Sequence, residues 1–198
     1  MKTSNYSFCL ILVALTFKNV SAQVQKYDST MMLGKGGFRV TCKNKNPNEN
    51  SLSVKLIGFE STARGIDVFI KGTISKAEID DLNDDGWPDL LMYAKTGVNG
   101  VYGTVYGLAS DHNHGVIPFL LPDVMMDGKI SSGYKGHDEF ELFQGSLIQR
   151  FPLYKSGDST DHPTGGKRVV QYRIVPGEKG GYDFKIIRSY EIKPGDNH

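Results

Sequence analysis

The segment richest in candidate metal ligands is 78–89, in which six of twelve residues are acidic and none is basic. Counting from residue 81, side-chain oxygens fall at the first, third, fifth and ninth positions, and a glycine occupies the sixth. Ca²⁺ binds six to eight oxygens around one point, and a loop with alternating oxygens bent at a glycine can supply them. We therefore predict a structural Ca²⁺ site whose ligands are Asp81, Asn83, Asp85, the carbonyl of Trp87, and Asp89.

The alternative for this segment is a turn without metal, in which Asp81 and Asn83 accept hydrogen bonds from the loop's own amides. The twelfth position is Met92, so the bidentate glutamate of an EF-hand is missing. The flanking residues read as strands, which resembles the D-x-N-x-D-G-x-x-D loops of propeller blades. A single copy of the pattern excludes a propeller.

A second segment, 131–136, is short, polar and interrupted by two glycines. Because it has little to bury, we expect it to project from a sheet. The hydroxyls of Ser131 and Tyr134 can donate and accept hydrogen bonds, and Lys129 and Lys135 add positive charge, which suits a partner that carries carboxylates. Tyrosine is also a frequent anchor of protein interfaces. The alternative is an ordinary hairpin turn.

Catalytic arrangements are less well supported by the sequence. Ser131, His137 and Asp138 have the residue types of a catalytic triad, but neighbours on one loop rarely reach triad geometry. The segment 111–114 contains two histidines but no identifiable distant third ligand for a transition metal. The lysines of GKGG and GGKR lack the spacing of a phosphate-binding loop. We expect a protein that is not an enzyme and requires no cofactor.

The elements that must position these segments are predicted to be strands. Alternating apolar and polar residues, or short β-branched and aromatic runs, recur between clusters of turn residues. They occur at 38–43, 52–59, 65–74, 90–94, 102–108, 116–121, 139–143, 147–154, 168–175 and 182–192. About ten short strands predict an all-β, single-domain antiparallel β-sandwich or bent meander. Its edge strands could pair between two copies, so a homodimer is among the expected partners.

Residues 1–22 have the layout of a secretory signal peptide. Lys2 is followed by a ten-residue apolar-rich run at 8–17, and small residues lead to a cleavage site near Ala22. The run is too short to cross about 30 Å of hydrocarbon, so no membrane span is expected. The prediction is a periplasmic or secreted mature domain at 23–198.

Composition excludes some classes of function. The 198-residue chain has a formal charge of +1, and hydrophobic residues make up 39 % of it. This charge balance argues against a nucleic-acid partner, because a protein that binds nucleic acid needs an excess of basic residues. The apolar content argues against a disordered chain. Of two cysteines only Cys42 lies outside the leader, so the domain must be stabilised by its core without an intrachain disulfide.

Five motifs in one order resemble the family of periplasmic inhibitors of invertebrate-type (i-type) lysozyme. They are DLNDDGWPDL, SSGYKGHDEF, RFPLY followed by GD, PTGGKR and QYRIVPGE, and they span about 81–175. The resemblance implies an exported β-rich protein that inserts a loop into the lysozyme cleft through a serine and a tyrosine three residues apart. It places that pattern on Ser131 and Tyr134, with Ser132 and Gly133 between them; Ser132 would replace Ser131 in a loop shifted by one residue.

The implied chemistry agrees with the residues. Glycosidases use two carboxylates beside the scissile bond, and inserted hydroxyls could bond to them. The expected rim of supporting contacts is formed by Lys129, Lys135, His137 and Arg150. His137 could equally hold the base of the loop against Asp138 or Glu139.

An extracellular module, stabilised by Ca²⁺ and binding a glycan or another protein, is the alternative. Trp87 and the stretch 102–106 could stack on sugars, although strand aromatics more often pack inside.

Overall fold

The computed structural model describes residues 25–60 and 65–196, and the predicted signal peptide lies outside them. The described chain forms twelve strands and two short 3₁₀ turns at Val98–Gly100 and Val124–Met126. The strands are β1 (Tyr27–Leu33), β2 (Gly36–Cys42), β3 (Glu49–Ile57), β4 (Ile66–Lys71), β5 (Thr73–Asp80), β6 (Asp89–Thr96), β7 (Tyr102–Ser110), β8 (Val116–Leu120), β9 (Glu139–Phe143), β10 (Ser146–Pro152), β11 (Lys167–Pro176) and β12 (Tyr182–Ile192).

These strands build three antiparallel sheets of four strands each, which confirms the all-β prediction. Each sheet is a meander of consecutive strands: the N-terminal sheet is β1–β4, the central sheet β5–β8 and the C-terminal sheet β9–β12. Relative to the expected sandwich or meander, the structure has two more strands and a third sheet.

The central sheet is buried on both faces, which explains the sequence of β6. Leu91 and Tyr93 point into a core shared with the C-terminal sheet. Leu90 and Met92 alternate with them and point into a core shared with the N-terminal sheet. A strand covered on both sides has no polar face, so β6 reads as a continuous apolar run instead of an alternating one.

The N-terminal sheet has one buried and one exposed face. Along β2, Phe38 and Val40 are fully buried whereas Arg39 is exposed, and Cys42 is a buried free thiol. This alternation with a period of two is the signal from which β2 was predicted.

The predicted strand 65–74 is two strands that meet at Gly72. This residue has φ 84°, in the left-handed region, and its α-carbon packs against the carbonyl of Lys95 so closely that a Cβ would not fit. A tight turn that only glycine accommodates therefore separates β4 from β5.

Within residues 25–60 and 65–196, no helix has the length and apolar character needed to cross a membrane.

Candidate partner-binding site

The segment 131–134 is held at its start by the turn that precedes it. The Asp127 side chain accepts a hydrogen bond from the Lys129 amide at 2.8 Å, and the Asp127 carbonyl accepts one from Ser131 at 2.8 Å. Ile130, between them, is buried in the core shared by the central and C-terminal sheets. The segment therefore leaves the core from a fixed point.

Tyr134 fixes the other end of the segment because its side chain points inward. Its ring packs edge-on against Phe151, with centroids 4.7 Å apart, and its backbone forms a β-bridge with Leu153. Its hydroxyl donates to Oδ2 of Asp138 at 2.7 Å. Half-buried Tyr134 is thus an anchor of this loop, whereas the sequence led us to expect the loop to project.

Half-buried Asp138 lies at the centre of a series of hydrogen bonds that leads into the core. Its Oδ2 also accepts from the Gly103 amide at 2.8 Å, and its Oδ1 accepts from Nε2 of Gln149 at 2.7 Å. Oε1 of Gln149, which is fully buried, accepts from the Tyr172 hydroxyl at 2.8 Å. The chain ties the loop to strands of two sheets, and its polar atoms satisfy one another.

Burial raises the pKa values of two groups in this series of hydrogen bonds, Asp138 and Tyr134. It raises the pKa of Asp138, although the donors Tyr134, Gly103 and Gln149 oppose the shift. Burial also raises the pKa of the Tyr134 hydroxyl, as does the charge of Asp138. The tyrosine therefore stays protonated at neutral pH and remains a donor.

The side chains that the loop presents to solvent are those of Ser132, Lys135 and His137, whereas Ser131 and Gly133 are half-buried. The Lys135 ammonium lies 4.9 Å from the ring centroid of Tyr154. The His137 amide donates to the Val101 carbonyl at 2.6 Å. The exposed side chains therefore stand on a backbone that is bonded to its neighbours.

A second turn, 97–102, lies directly beside this loop. Gly136 packs against Val101, with a Cβ there only 2.6 Å from the Val101 carbonyl oxygen, and the Tyr102 and Tyr134 rings are 6.1 Å apart. Val98 is 82 % exposed and Tyr102 is 45 % exposed. Because Val98 and Tyr102 expose apolar area directly beside the loop, we add them to the candidate surface.

The sequence offered only a weak signal for this second turn. Its glycines at 97 and 100 indicate a turn, and the sequence assigns Tyr102 to the predicted strand 102–108 and to possible sugar stacking. Its position next to 131–137 depends on contacts between residues more than thirty positions apart. We call the exposed residues of both turns, namely Val98, Tyr102, Ser132, Lys135 and His137, the contact surface.

Two residues of the predicted rim are placed differently from the rest. Lys129 is exposed at the start of the loop, and its carbonyl accepts from Arg168 at 3.0 Å. Arg150 follows the inward-pointing Gln149 on β10, so it projects from the opposite face of the sheet. It pairs there with Glu141 at 2.6 Å and is not brought to the contact surface.

The acidic segment forms a turn whose carboxylates accept backbone hydrogen bonds. Asp81 accepts from the amides of residues 85 and 86 at 3.0 and 2.9 Å, and Asp85 from Trp87 at 2.8 Å. Fully buried Asp89 accepts from Leu82 at 2.6 Å, Asn83 at 3.0 Å and Ser110 at 2.6 Å. Burial raises the pKa of Asp89 to about 7.

As arranged here, the carboxylate oxygens of Asp81, Asp85 and Asp89 accept hydrogen bonds from backbone amides. Over residues 25–60 and 65–196, no group of three or more His, Cys, Asp or Glu side chains is placed to hold one. The Asn83 amide donates to the Ser110 carbonyl at 2.9 Å and to the Tyr182 hydroxyl at 3.1 Å. The Ca²⁺ site stays a prediction from the sequence.

The aromatics considered for sugar stacking are largely engaged in packing. Trp87 is half-buried, with its ring centroid 5.9 Å from that of Phe59. The Tyr106 hydroxyl accepts from the Lys71 amide at 2.8 Å, and its ring packs on the core beneath the N-terminal sheet. Tyr102 is the exposed member of this set.

The residues that the sequence suggested for catalysis or for binding a transition metal make the following contacts. Asp138 is bonded to Tyr134, Gln149 and Gly103. In the segment 111–114, His114 pairs with Glu60 at 3.1 Å, and both are exposed.

The homodimer stays a prediction from the sequence. The edge strand β12 exposes apolar side chains, among them Ile187, which is 48 % exposed.

No family model, curated protein or solved structure matches this chain.

Proposed function

We propose that the mature protein is an exported inhibitor of lysozyme, with i-type lysozyme the preferred target, and that it acts by inserting the loop 131–137 into the active-site cleft. The support is the resemblance carried by five motifs across 81–175, together with the contact surface. The protein acts by binding and performs no catalysis of its own.

The observation that carries the proposal is that exposed side chains of both turns stand on a scaffold already bonded in place. Tyr134, Asp138 and Gln149 connect the loop to the core by hydrogen bonds of 2.7 Å. A loop that is ordered before binding loses little conformational entropy when it enters a cleft. This small loss of conformational entropy favours tight binding by a small surface.

The chemistry of the contact surface suits a glycosidase cleft. Such a cleft contains two carboxylates and an elongated sugar-binding groove. Lys135 and His137 can donate to carboxylates, and charge-assisted hydrogen bonds contribute about 1.5–3 kcal/mol each. Val98 and Tyr102 add apolar area, which the partner's sugar subsites can cover.

We assign different roles to the serines and the tyrosine of the serine–tyrosine pattern. Ser132 is exposed and is the hydroxyl best placed to reach a partner, with Ser131 half-buried beside it. Tyr134 in the free protein bonds inward to Asp138, so we assign it to positioning the loop.

The decisive experiment is an inhibition assay with the purified mature protein against i-type, c-type and g-type lysozymes. We expect stoichiometric inhibition of the i-type enzyme and weaker inhibition of the other two. Full i-type activity in molar excess of the protein, across several such lysozymes, would contradict the proposal.

Variants then locate the surface. Tyr102→Ala should raise the inhibition constant about tenfold or more, because it removes an aromatic ring from the contact surface. Ser132→Ala should raise it about two- to tenfold, because it removes one hydroxyl. Tyr190→Ala is the matched control, since Tyr190 is exposed to 43 % against 45 % for Tyr102 but lies on β12. Equal potency of all three variants would show that another surface binds.

A second comparison separates the two roles of Tyr134. Tyr134→Phe keeps the ring on Phe151 and loses only the hydroxyl, whereas Tyr134→Ala loses both. If Tyr134 positions the loop, Tyr134→Phe should bind more weakly and also show faster amide exchange at 131–137. A loss of inhibition with unchanged exchange would instead make its hydroxyl a direct contact.

A further inference from the structure

The outer face of the N-terminal sheet is used neither by the resemblance, which begins near residue 81, nor by the contact surface. Cross-strand register places Asp28 opposite Thr41, Thr41 opposite Ser53, and Ser53 opposite Asp67. Directly opposed residues share a face, so these four side chains form one row across all four strands. At about 4.8 Å between strands, the row is about 15 Å long.

This row is the floor of a trough. The central side chains, Thr41 and Ser53, are short, whereas longer side chains stand around them and enclose a space of about 550 Å³. The longer charged residues that line the trough are Lys26, Arg39, Lys43 and Lys45, with Asp28 and Asp67 at the two ends of the row. The trough thus results from short side chains that lie among longer ones on a regular sheet.

The trough carries a positive charge that its own residues do not neutralise. Arg39 pairs with Asp28 at 3.1 Å. Lys26, Lys43 and Lys45 belong to none of the ion pairs formed within the described part of the chain. An anionic ligand would complement this excess.

The uncharged groups indicate which kind of anion. Ser51 lies opposite Phe69, and Phe69 is 80 % exposed on the same face. Hydroxyls of the floor can donate and accept, Asp67 can accept only, and an exposed aromatic ring offers a flat apolar surface. A ligand that satisfies all of these carries hydroxyl donors and flat apolar patches as well as negative charge.

We propose that this face binds an acidic polysaccharide, with its anionic groups on the three lysines and its sugar hydroxyls on Asp67, Thr41 and Ser53. A nucleic acid or an acidic peptide complements the lysines equally well. DNA and an acidic peptide lack a row of hydroxyl donors for Asp28 and Asp67, whereas the hydroxyls of a sugar chain can donate to these carboxylates. The inference is independent of lysozyme inhibition, because the trough and the contact surface lie on different sheets.

The test measures binding of the mature protein to dextran sulfate and to alginate, which separate sulfate from carboxylate recognition. Neutral dextran, single-stranded DNA and polyglutamate serve as comparison ligands. We expect at least one acidic polysaccharide to bind about tenfold more tightly than any of these three. Equal affinity for polyglutamate or DNA would overturn the proposal, since it would mean attraction by charge alone, and so would the absence of polysaccharide binding.

Charge-reversal variants locate the site. The pair Lys43→Glu and Lys45→Glu should weaken polysaccharide binding at least about tenfold and leave lysozyme inhibition unchanged. The pair Lys185→Glu and Lys193→Glu is the matched control, because it changes net charge equally at exposed positions of the C-terminal region. An equal loss in both pairs would overturn the assignment to this face.

The floor of the trough can be tested without changing its charge. Ser53→Leu fills the centre of the row with an apolar side chain at an exposed strand position, where a fold defect is not expected. It should weaken binding of the acidic polysaccharide while a melting curve stays unchanged. Unaltered binding would show that the ligand does not lie in the trough.

Discussion

Asp138 is the residue on which the conformation of the proposed inhibitory loop most depends. It accepts the Tyr134 hydroxyl, the Gly103 amide and the Gln149 amide, and so joins the loop to β7 and β10. Asp138 is half-buried, and removing any one of the three donors would leave part of its carboxylate without a hydrogen bond and would loosen the loop.

The pH dependence of stability should report on Asp138. Burial raises its pKa in the folded protein above the value of about 3.9 in an unfolded chain. Between those two values the folded state holds a proton that the unfolded state has released. The contribution of Asp138 to the free energy of unfolding is therefore present at low pH and is lost as pH rises through the folded pKa.

Asp138→Asn removes this titration and can keep the fold. The Gln149 amide can flip and the Tyr172 hydroxyl can turn to accept from it, so the chain stays bonded. Between about pH 4 and about pH 7, the free energy of unfolding in urea should fall more steeply with pH in the wild type than in Asp138→Asn, by at most about 1.4 kcal/mol per pH unit, whereas the raised pKa of Asp89 contributes a slope to both proteins. Identical slopes in the two proteins would contradict the raised pKa.

At the scale of an element, the acidic turn 81–89 links β5 to β6 through its own backbone. Asp89, the first residue of β6, accepts from the amides of Leu82, Asn83 and Ser110. Hydrogen bonds from Ser110, His112 and Trp87 outweigh burial at Asp85 and lower the pKa of that carboxyl. The turn is thereby joined to the end of β7 as well.

Asp89→Asn should destabilise the protein by roughly 1–3 kcal/mol or more, because its amide would face at least one backbone donor inside the protein. Asp84→Asn is the matched control: Asp84 is exposed at φ 59°, a conformation that asparagine also adopts readily. Chemical unfolding at about pH 8, where Asp89 is ionised, measures both. An equal and small effect of the two substitutions would contradict the role of Asp89.

The same proteins test the predicted Ca²⁺ site. A ligand that binds only the folded state raises the melting temperature by mass action. A Ca²⁺ site predicts a higher melting temperature in excess Ca²⁺ than in chelator for the wild type, and a smaller difference for Asp89→Asn. Equal melting temperatures of the wild type in excess Ca²⁺ and in chelator would show that the turn is held by its own hydrogen bonds and not by Ca²⁺.

At the scale of the whole molecule, the central sheet is the shared layer between two cores. Leu91 and Met92 are neighbours on β6 whose side chains enter opposite cores. Because both cores include side chains of one sheet, loss of packing on either side weakens the same strands.

Leu91→Ala and Met92→Ala should therefore each destabilise the entire protein, by about 2–5 kcal/mol. Each should lower the unfolding midpoint seen by Trp87 fluorescence and by far-ultraviolet circular dichroism equally, since one cooperative unit gives coincident transitions. Trp87 is the only tryptophan and packs near Phe59 of the N-terminal part. Separate transitions in Met92→Ala would instead show that the N-terminal sheet unfolds independently.

Part of this architecture could be predicted from the sequence because the information is local. Alternation along β2 and the turn residues around it predict a strand there. In contrast, the sequence analysis does not predict β1 (Tyr27–Leu33) or β5 beyond Ile74, because small residues such as Ser29 and Ala77 leave little periodic signal. Their strand conformation comes from pairing with β2 and β6.

The sequence by itself determined the all-β character, the acidic turn and the position of the polar loop, since each depends on neighbours within about ten residues. Only the tertiary structure decided that Tyr134 faces Asp138 and Phe151, that 97–102 lies beside the loop, and that residues 28, 41, 53 and 67 form one row. These juxtapositions depend on sheet register and on which faces pack together, and no local pattern encodes either of these.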